Sequence, residues 1–159
     1  MAALPDDGVL DAWMDTALAE AARAPMHGDV PVGALVARLG PGEPAVVARR
    51  HNERELRHDP TAHAELLALR DAAEALGTWR LDDCVLVVTI EPCTMCAGAA
   101  LNARIGAVVF GAPDLRFGAL GSRYHVLADP RLNHEAPITG GHRGEEAAAL
   151  LQSFFAPRR

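Results

Sequence analysis

Apolar residues recur at helical spacing near the start of the chain, at Leu10, Met14, Ala17, Leu18 and Ala21, and this predicts an amphipathic helix over Leu10 to Ala24 that Pro25 and Gly28 end. Two strand-like runs follow, Val32 to Leu39 and Ala45 to Arg49, with Gly40-Pro41-Gly42 between them, the pattern of a β-hairpin. The polar stretch Arg50 to His58 reads as a loop. Asp59-Pro60-Thr61 then carries a helix-start signature. Asp59 is placed as the cap and Pro60 as the first helical residue, ahead of an apolar-periodic run from Ala62 to Leu76 that Gly77 stops. Cys84 to Ile90 is the clearest buried strand, and Pro92 opens a helix of small residues from Cys93 to about Ala103. Ala107 to Gly111 reads as another strand, Ala112 to Asn133 as Gly-rich and irregular, Ala136 to Thr139 as a short extended piece, and Glu145 to Phe155 as a final helix.

Strands alternating with helices predict an α/β fold, three-layer α/β/α, with helices on both faces of a central mixed sheet of about five strands. With 159 residues, half of them apolar, the chain can bury a real core, and residues 1–159 are expected to form a single domain without internal repeats. The N-terminus lacks the basic start and apolar run of a signal peptide, and no segment approaches the roughly 20 apolar residues of a membrane span. A soluble, cytoplasmic protein with no membrane partner is expected. Three cysteines are an odd count, and Cys93-x-x-Cys96 favours a metal or redox site over a disulfide framework.

Charge adds a constraint that points the other way. The net charge of −6 argues against a general nucleic-acid binder, because neutralising phosphates takes clustered cations. The distribution is uneven, however: residues 1–100 hold 8 Arg against 16 acids, and residues 101–159 hold 7 Arg against 5. No cation is Lys, a usage most simply read as a chain-wide bias.

Candidate chemistry gathers at His63-Ala64-Glu65 and Pro92-Cys93-Thr94-Met95-Cys96. A catalytic zinc takes three nitrogen or sulfur ligands and leaves a fourth position for water, and His63, Cys93 and Cys96 supply that set for one Zn2+ per chain. Residues three apart on a helix share a face, and a helix N-terminus favours thiolates. Glu65, two residues from His63 and expected in the same first turn, can stand beside the water without ligating and carry protons to a ring nitrogen and a leaving amine. H-x-E with P-C-x-x-C is the known signature of zinc-dependent nucleobase deaminases. Elsewhere Cys84 reads as a small core residue, His51 and His58 as solvated loop residues, His134 and His142 as structural or exposed, and Met95 as packing.

The resemblance extends well beyond these blocks. Asp29 to Ala34, Arg57 to Glu65, Thr89 to Ala99, Val109 to Asp114, Gly118 to Ser122, Leu132-Asn133-His134 and Leu150 to Phe155 together resemble the bacterial tRNA-specific adenosine deaminases, within the zinc-dependent cytidine/deoxycytidylate deaminase superfamily. The Asp114 loop, the Asn133-His134 pair and the Phe154-Phe155 tail are similar to the tRNA branch in particular. The resemblance implies a cytidine-deaminase-like fold and hydrolysis of the wobble adenosine to inosine. It implies that Asn52 contacts the flipped base, that Asp114 touches the nucleotide beside it, and that the C-terminal helix meets the anticodon stem. It also implies a homodimer, which the small residues Ala97 to Ala100 would permit. The alternative is a deaminase of a free base or nucleoside such as guanine, cytosine or adenosine, which shares the zinc site and needs no basic surface. An inactive scaffold subunit could dispense with Glu65, which is present. If RNA is the substrate, a local basic rim must meet its phosphates. The candidates are Arg49, Arg50, Arg54 and Arg57 ahead of the catalytic helix, together with Arg116, Arg123, Arg158 and Arg159.

Overall fold

A computed structural model describes residues 3–158. The first helix, α1 (Asp7–Ala21), starts three residues before the apolar stripe does, because the Asp6 carboxylate accepts a hydrogen bond from Val9 N at 3.1 Å and caps it. It also ends earlier than the pattern implied. Ala24–His27 form a separate 3-10 turn, closed by Gly28 in the left-handed region at φ 84°.

Strands β1 (Gly33–Arg38) and β2 (Ala45–His51) form the expected antiparallel hairpin, with β2 running two residues past Arg49. Strand β3 (Cys84–Ile90) has the expected bounds, and β4 (Ala107–Ala112) and β5 (Ile138–Gly140) differ from expectation by one or two residues. The sheet order is β2-β1-β3-β4-β5. β1 is antiparallel to both neighbours, while β3, β4 and β5 run parallel, so the sheet is mixed.

Alternation along β3 assigns the two faces. Val85 and Val87 pack with Leu10, Trp13, Met14 and Ala17 of α1, whereas Cys84, Leu86 and Val88 pack with the opposite helices. Those helices are α3 (Ala64–Leu76), through Ala64, Ala68 and Ala72, and α4 (Thr94–Asn102), through Ala97 and Ala100. The last helix, α5 (Gly144–Phe155), packs on β4 and β3 beside α1, where Arg143 lies 3.5 Å from Asp15. The result is the three-layer α/β/α arrangement. Cys84 is fully buried in the core, as expected.

Three expectations need correction. Arg50 to His58 is not all loop, since it contains α2 (Arg54–Arg57), whose first N–H groups are met from far away in sequence. The Asp29 carboxylate accepts from Glu55 N at 2.9 Å and Leu56 N at 3.3 Å. Asp59 does not cap the catalytic helix. Its Oδ1 accepts from Thr61 N at 2.8 Å and Thr61 Oγ1 at 2.7 Å, closing a turn, and α3 begins only at Ala64. Finally, Ala97 and Ala100 are buried in this chain's own core, so of the small-residue run only Gly98 and Ala99 remain partly exposed.

Helix α1 approaches the sheet so closely at Gly33 that a Cβ there would lie 1.9 Å from Ala17 O and 2.6 Å from Ala21 N, both backbone atoms. Gly33→Ala therefore forces helix and strand apart, and a loss of about 3 kcal/mol is expected. Denaturant unfolding of the purified variant measures it, and wild-type stability would mean that α1 shifts freely.

Candidate active site

Two helix beginnings meet at one point. His63 stands at the N-cap position of α3 with φ −74° and ψ 148°, and Cys93 at the N-cap of α4 with φ −73° and ψ 176°. Such extended backbone normally aims a Ser, Thr or Asp side chain back at the helix's own N–H groups. Neither His63 nor Cys93 does this. They point instead at each other, with His63 Nδ1 3.8 Å from Cys93 Sγ and 3.5 Å from Cys96 Sγ. The capping is delegated: Asn52 Oδ1 accepts from Ala64 N at 2.8 Å and supplies what His63 withholds. Because a backbone N–H must meet the amide oxygen, this bond also fixes which way the Asn52 amide faces.

One ligand atom from each of His63, Cys93 and Cys96 lies within 4.8 Å of the others. The Cys93 thiol is drawn down to about 4, first by its hydrogen bond with Cys96 and then by His63. The same Cys93 contact pushes Cys96 upward. Soft donors converging this closely, one already acidified at a helix end, suit a divalent cation such as zinc. Glu65 lies in the first turn of α3, is only 3% exposed, and its Oε2 is buried without a hydrogen-bond partner. Burial raises its pKa. A buried carboxylate oxygen without a partner, beside a ligand set, is placed to meet a polar reactant.

The loop after β4 is built on Glu91. That side chain is 2% exposed, and its carboxylate accepts from Asp114 N at 3.1 Å, Leu120 N at 3.0 Å, Ser122 N at 3.0 Å and the Ser122 hydroxyl. Gly118 passes so close that a Cβ would sit 2.4 Å from the Glu91 carboxyl carbon. Asp114 finishes the turn, its Oδ1 accepting from Arg116 N at 2.9 Å and Phe117 N at 3.2 Å. Sequence reasoning assigned Glu91 no role. Its only signal was its place directly before Pro92-Cys93.

These elements surround a cavity of about 1050 Å³. Asn52, His63, Glu65, Cys93 and Asp114 line it, as do Arg54, Arg116 and Arg123 of the expected rim. Arg49, Arg50 and Arg57 do not join them. Arg50 bonds Glu53 at 3.0 Å and Asp71 at 2.8 Å, Arg57 bonds Glu53, and Arg49 lies 3.7 Å from Glu20, so nearby acids occupy them. Arg159 and the side chain of Arg158 lie outside the described residues.

His51 corrects the reading of solvated loop residues. It ends β2 buried, with Nδ1 2.9 Å from Glu20 Oε2 and its ring 5.4 Å from that of His27, which in turn lies 2.7 Å from Asp29. Through Asp29 this buried string reaches α2 and so places Arg54 at the cavity. His58 is exposed, as expected, and takes a left-handed backbone at φ 52° after α2. Asn133 and His134 pin the loop ahead of β5, bonding Arg104 Nη1 at 3.1 Å and Ile105 O at 2.8 Å.

Residues 10–159 match the MafB19-like deaminase family. The chain is 43% identical over 143 residues to the tRNA-specific adenosine deaminase of Bacillus subtilis, covering 90% of this chain and 86% of that one. Among solved structures it is similar to one from work on A-to-I editing by tRNA:A34 deaminases at the wobble position, with 39% identity, a TM-score of 0.82, and 88% and 99% of the two chains covered. It is also similar to the guanine deaminase of Bacillus subtilis, with 38% identity and a TM-score of 0.60 over 65% and 64% of the two chains.

Burial pushes the pKa of Glu91 up, but the hydrogen bonds from Ser122, Asp114 and Leu120 outweigh burial and hold it below the ordinary value of 4.5. A depressed folded value means that its stabilisation is complete above the unfolded value and is lost as pH falls through the folded one. Glu91→Gln turns an NH2 toward backbone donors, so about 1 to 3 kcal/mol should be lost at neutral pH. The gap to wild type should narrow as pH falls below the ordinary carboxylate range and the wild-type carboxyl takes up a proton. Unfolding of both proteins along a pH series measures this, and a pH-independent gap would contradict it.

Proposed function

This chain belongs to the MafB19-like deaminases, among the tRNA-specific adenosine deaminases, and on that premise we propose that it hydrolyses the wobble adenosine of a tRNA anticodon loop to inosine and ammonia. The observation that carries the chemistry is the meeting of His63, Cys93 and Cys96 beside a buried Glu65 with a free oxygen. The three residues hold one zinc per chain. When bound, zinc lowers the pKa of a coordinated water to about 7, which makes attack on a ring carbon possible at neutral pH.

The protein's own groups do the rest. Glu65 accepts one proton of the attacking water and passes it to N1 of the adenine ring as C6 becomes tetrahedral, then takes the proton of the hydroxyl now on C6 and delivers it to the 6-amino group, which departs as ammonia while C6 becomes a carbonyl. Its burial excludes bulk water and raises its pKa, which favours uptake of the water's proton. Asn52, whose amide oxygen is held by Ala64 N, presents its NH2 as a fixed donor toward the flipped base. Asp114 contacts the nucleotide beside that base. An anticodon loop suits the cavity, since its unstacked bases enter without opening a duplex.

Arg54, Arg116 and Arg123 meet the phosphates at the mouth, with the tail arginines Arg158 and Arg159 as further candidates, and α5 faces the stem. Residues 1–159 act as one catalytic domain of a cytoplasmic homodimer. No helix among the described residues is long and apolar enough to cross a membrane. The likeness to a guanine deaminase keeps a free-base substrate as the second reading, because it shares the zinc-site chemistry and explains the acidic charge without RNA.

Three measurements test the proposal. Purified protein is offered anticodon stem-loops, free adenosine, guanine and cytosine, and inosine in the stem-loop is the expected product; guanine turnover with an inert stem-loop would transfer the function to the second reading. Glu65→Ala should keep its zinc while turnover falls about 10²- to 10⁴-fold, and wild-type rates would remove the shuttle. The Cys93→Ala, Cys96→Ala double variant should lose zinc in metal analysis, and full retention would place the ion elsewhere.

A further inference from the structure

Exposed aromatic residues are scarce in this chain, which has 4 Phe, 2 Trp and 1 Tyr in all. Trp13, Phe110 and Phe154 are buried. Of the exposed ones, Phe117 at 64%, Tyr124 at 52% and Phe155 at 43% all line the mouth of the active-site cavity. Single exposed apolar residues need no explanation, but three at the rim of one cavity form a patch that water disfavours and a partner would cover.

Phe117 and Tyr124 are also held together. Gly118, the residue after Phe117, accepts through its carbonyl from Arg123 N at 3.0 Å and Tyr124 N at 3.3 Å, so the two ends of the loop run side by side. Glu91 and Asp114 fix that loop from beneath. Among the described residues neither ring stacks on another ring, and both keep open faces. Arg116 and Arg123, next to them in the chain, have no ion-pair partner among the described residues, unlike Arg49, Arg50 and Arg57. Aromatic faces interleaved with free guanidinium groups fit unpaired nucleotides, whose bases stack and whose phosphates need cations. A free base already enclosed in the cavity would gain nothing from rings outside it.

We propose that Phe117 and Tyr124 form a pre-built stacking platform for the unpaired nucleotides flanking the target adenosine, with Arg116 and Arg123 meeting the phosphates of those nucleotides. The platform rests on the RNA reading above and adds to it a determinant of which substrates bind. Because the loop is ordered before RNA arrives, little binding energy is spent on fixing it. Its contribution belongs to binding of the extended substrate and not to the chemical step.

The test uses the zinc-loaded protein and an anticodon stem-loop carrying 2-aminopurine beside the target adenosine, a base whose fluorescence falls when it stacks. Phe117→Ala, Tyr124→Ala empties no core, so folding and zinc content should match wild type. The half-saturating RNA concentration should rise about 10- to 100-fold, the range that loss of base stacking converts to. The single-turnover rate at saturation should change little, and the fluorescence quench should be relieved. Phe117→Trp, Tyr124→Phe should restore binding and quench, whereas Phe117→Leu, Tyr124→Leu should not. Unchanged affinity and quench in the alanine variant, or full rescue by leucine, would overturn the platform while leaving tRNA deamination standing. A wild-type protein inert on the stem-loop but active on a free base would overturn both, and that result shows before any variant is made.

Discussion

The site depends on two helices giving up their own capping side chains. His63 and Cys93 occupy the N-cap positions of α3 and α4, and each turns away from its helix toward the space between them. The positive ends of both helices therefore face the same point, where they favour thiolate at Cys93. A helix end left uncapped is costly, and the Asn52 amide oxygen offsets part of that cost at Ala64 N. The same bond fixes the Asn52 amide NH2, so one side chain both repairs the helix end and offers a donor to the cavity it lines.

A second constraint ties the ligand helix to the substrate loop. Glu91 is two residues before Cys93 and fully enclosed, yet no Arg or His among the described residues pairs with it; its charge is dispersed over three backbone N–H groups and one hydroxyl. Any movement of the loop that carries Asp114, Phe117 and Arg123 would strand that carboxylate in a dry site. The chain thus obtains a rigid rim from a buried acid, and Gly118 is the residue that lets the loop lie against it.

Much of this was legible in the sequence because it is local. The continuous apolar run of β3, the hairpin turn at Gly40-Pro41-Gly42 and the spacing of Cys93 and Cys96 each declare themselves within a few residues. What stayed hidden was set by partners far along the chain. Helix α2 needs Asp29, some 25 residues earlier, to meet its first N–H groups, and no periodicity in Arg54–Arg57 could announce it. Asp59 satisfies every local rule for a helix cap and still closes a turn, and the helix begins only after His63, at Ala64. His51 looked solvated in an Arg-rich stretch, but β2 carries it to Glu20 and into the interior.

The charge distribution follows the same logic. A net charge of −6 says little about RNA, since what a phosphate meets is local. The acid-rich first part of the chain neutralises its own arginines, holding Arg50 against Glu53 and Asp71, Arg57 against Glu53, and Arg49 near Glu20. In the acid-poor later part Arg116 and Arg123, at the mouth of the cavity, have no such partner among the described residues. An acidic chain can therefore present a cationic edge where the substrate enters and repel polyanions over the rest of its surface. Such a field favours docking in one orientation over non-specific adsorption, which suits an enzyme that must act on one base of a long polyanion.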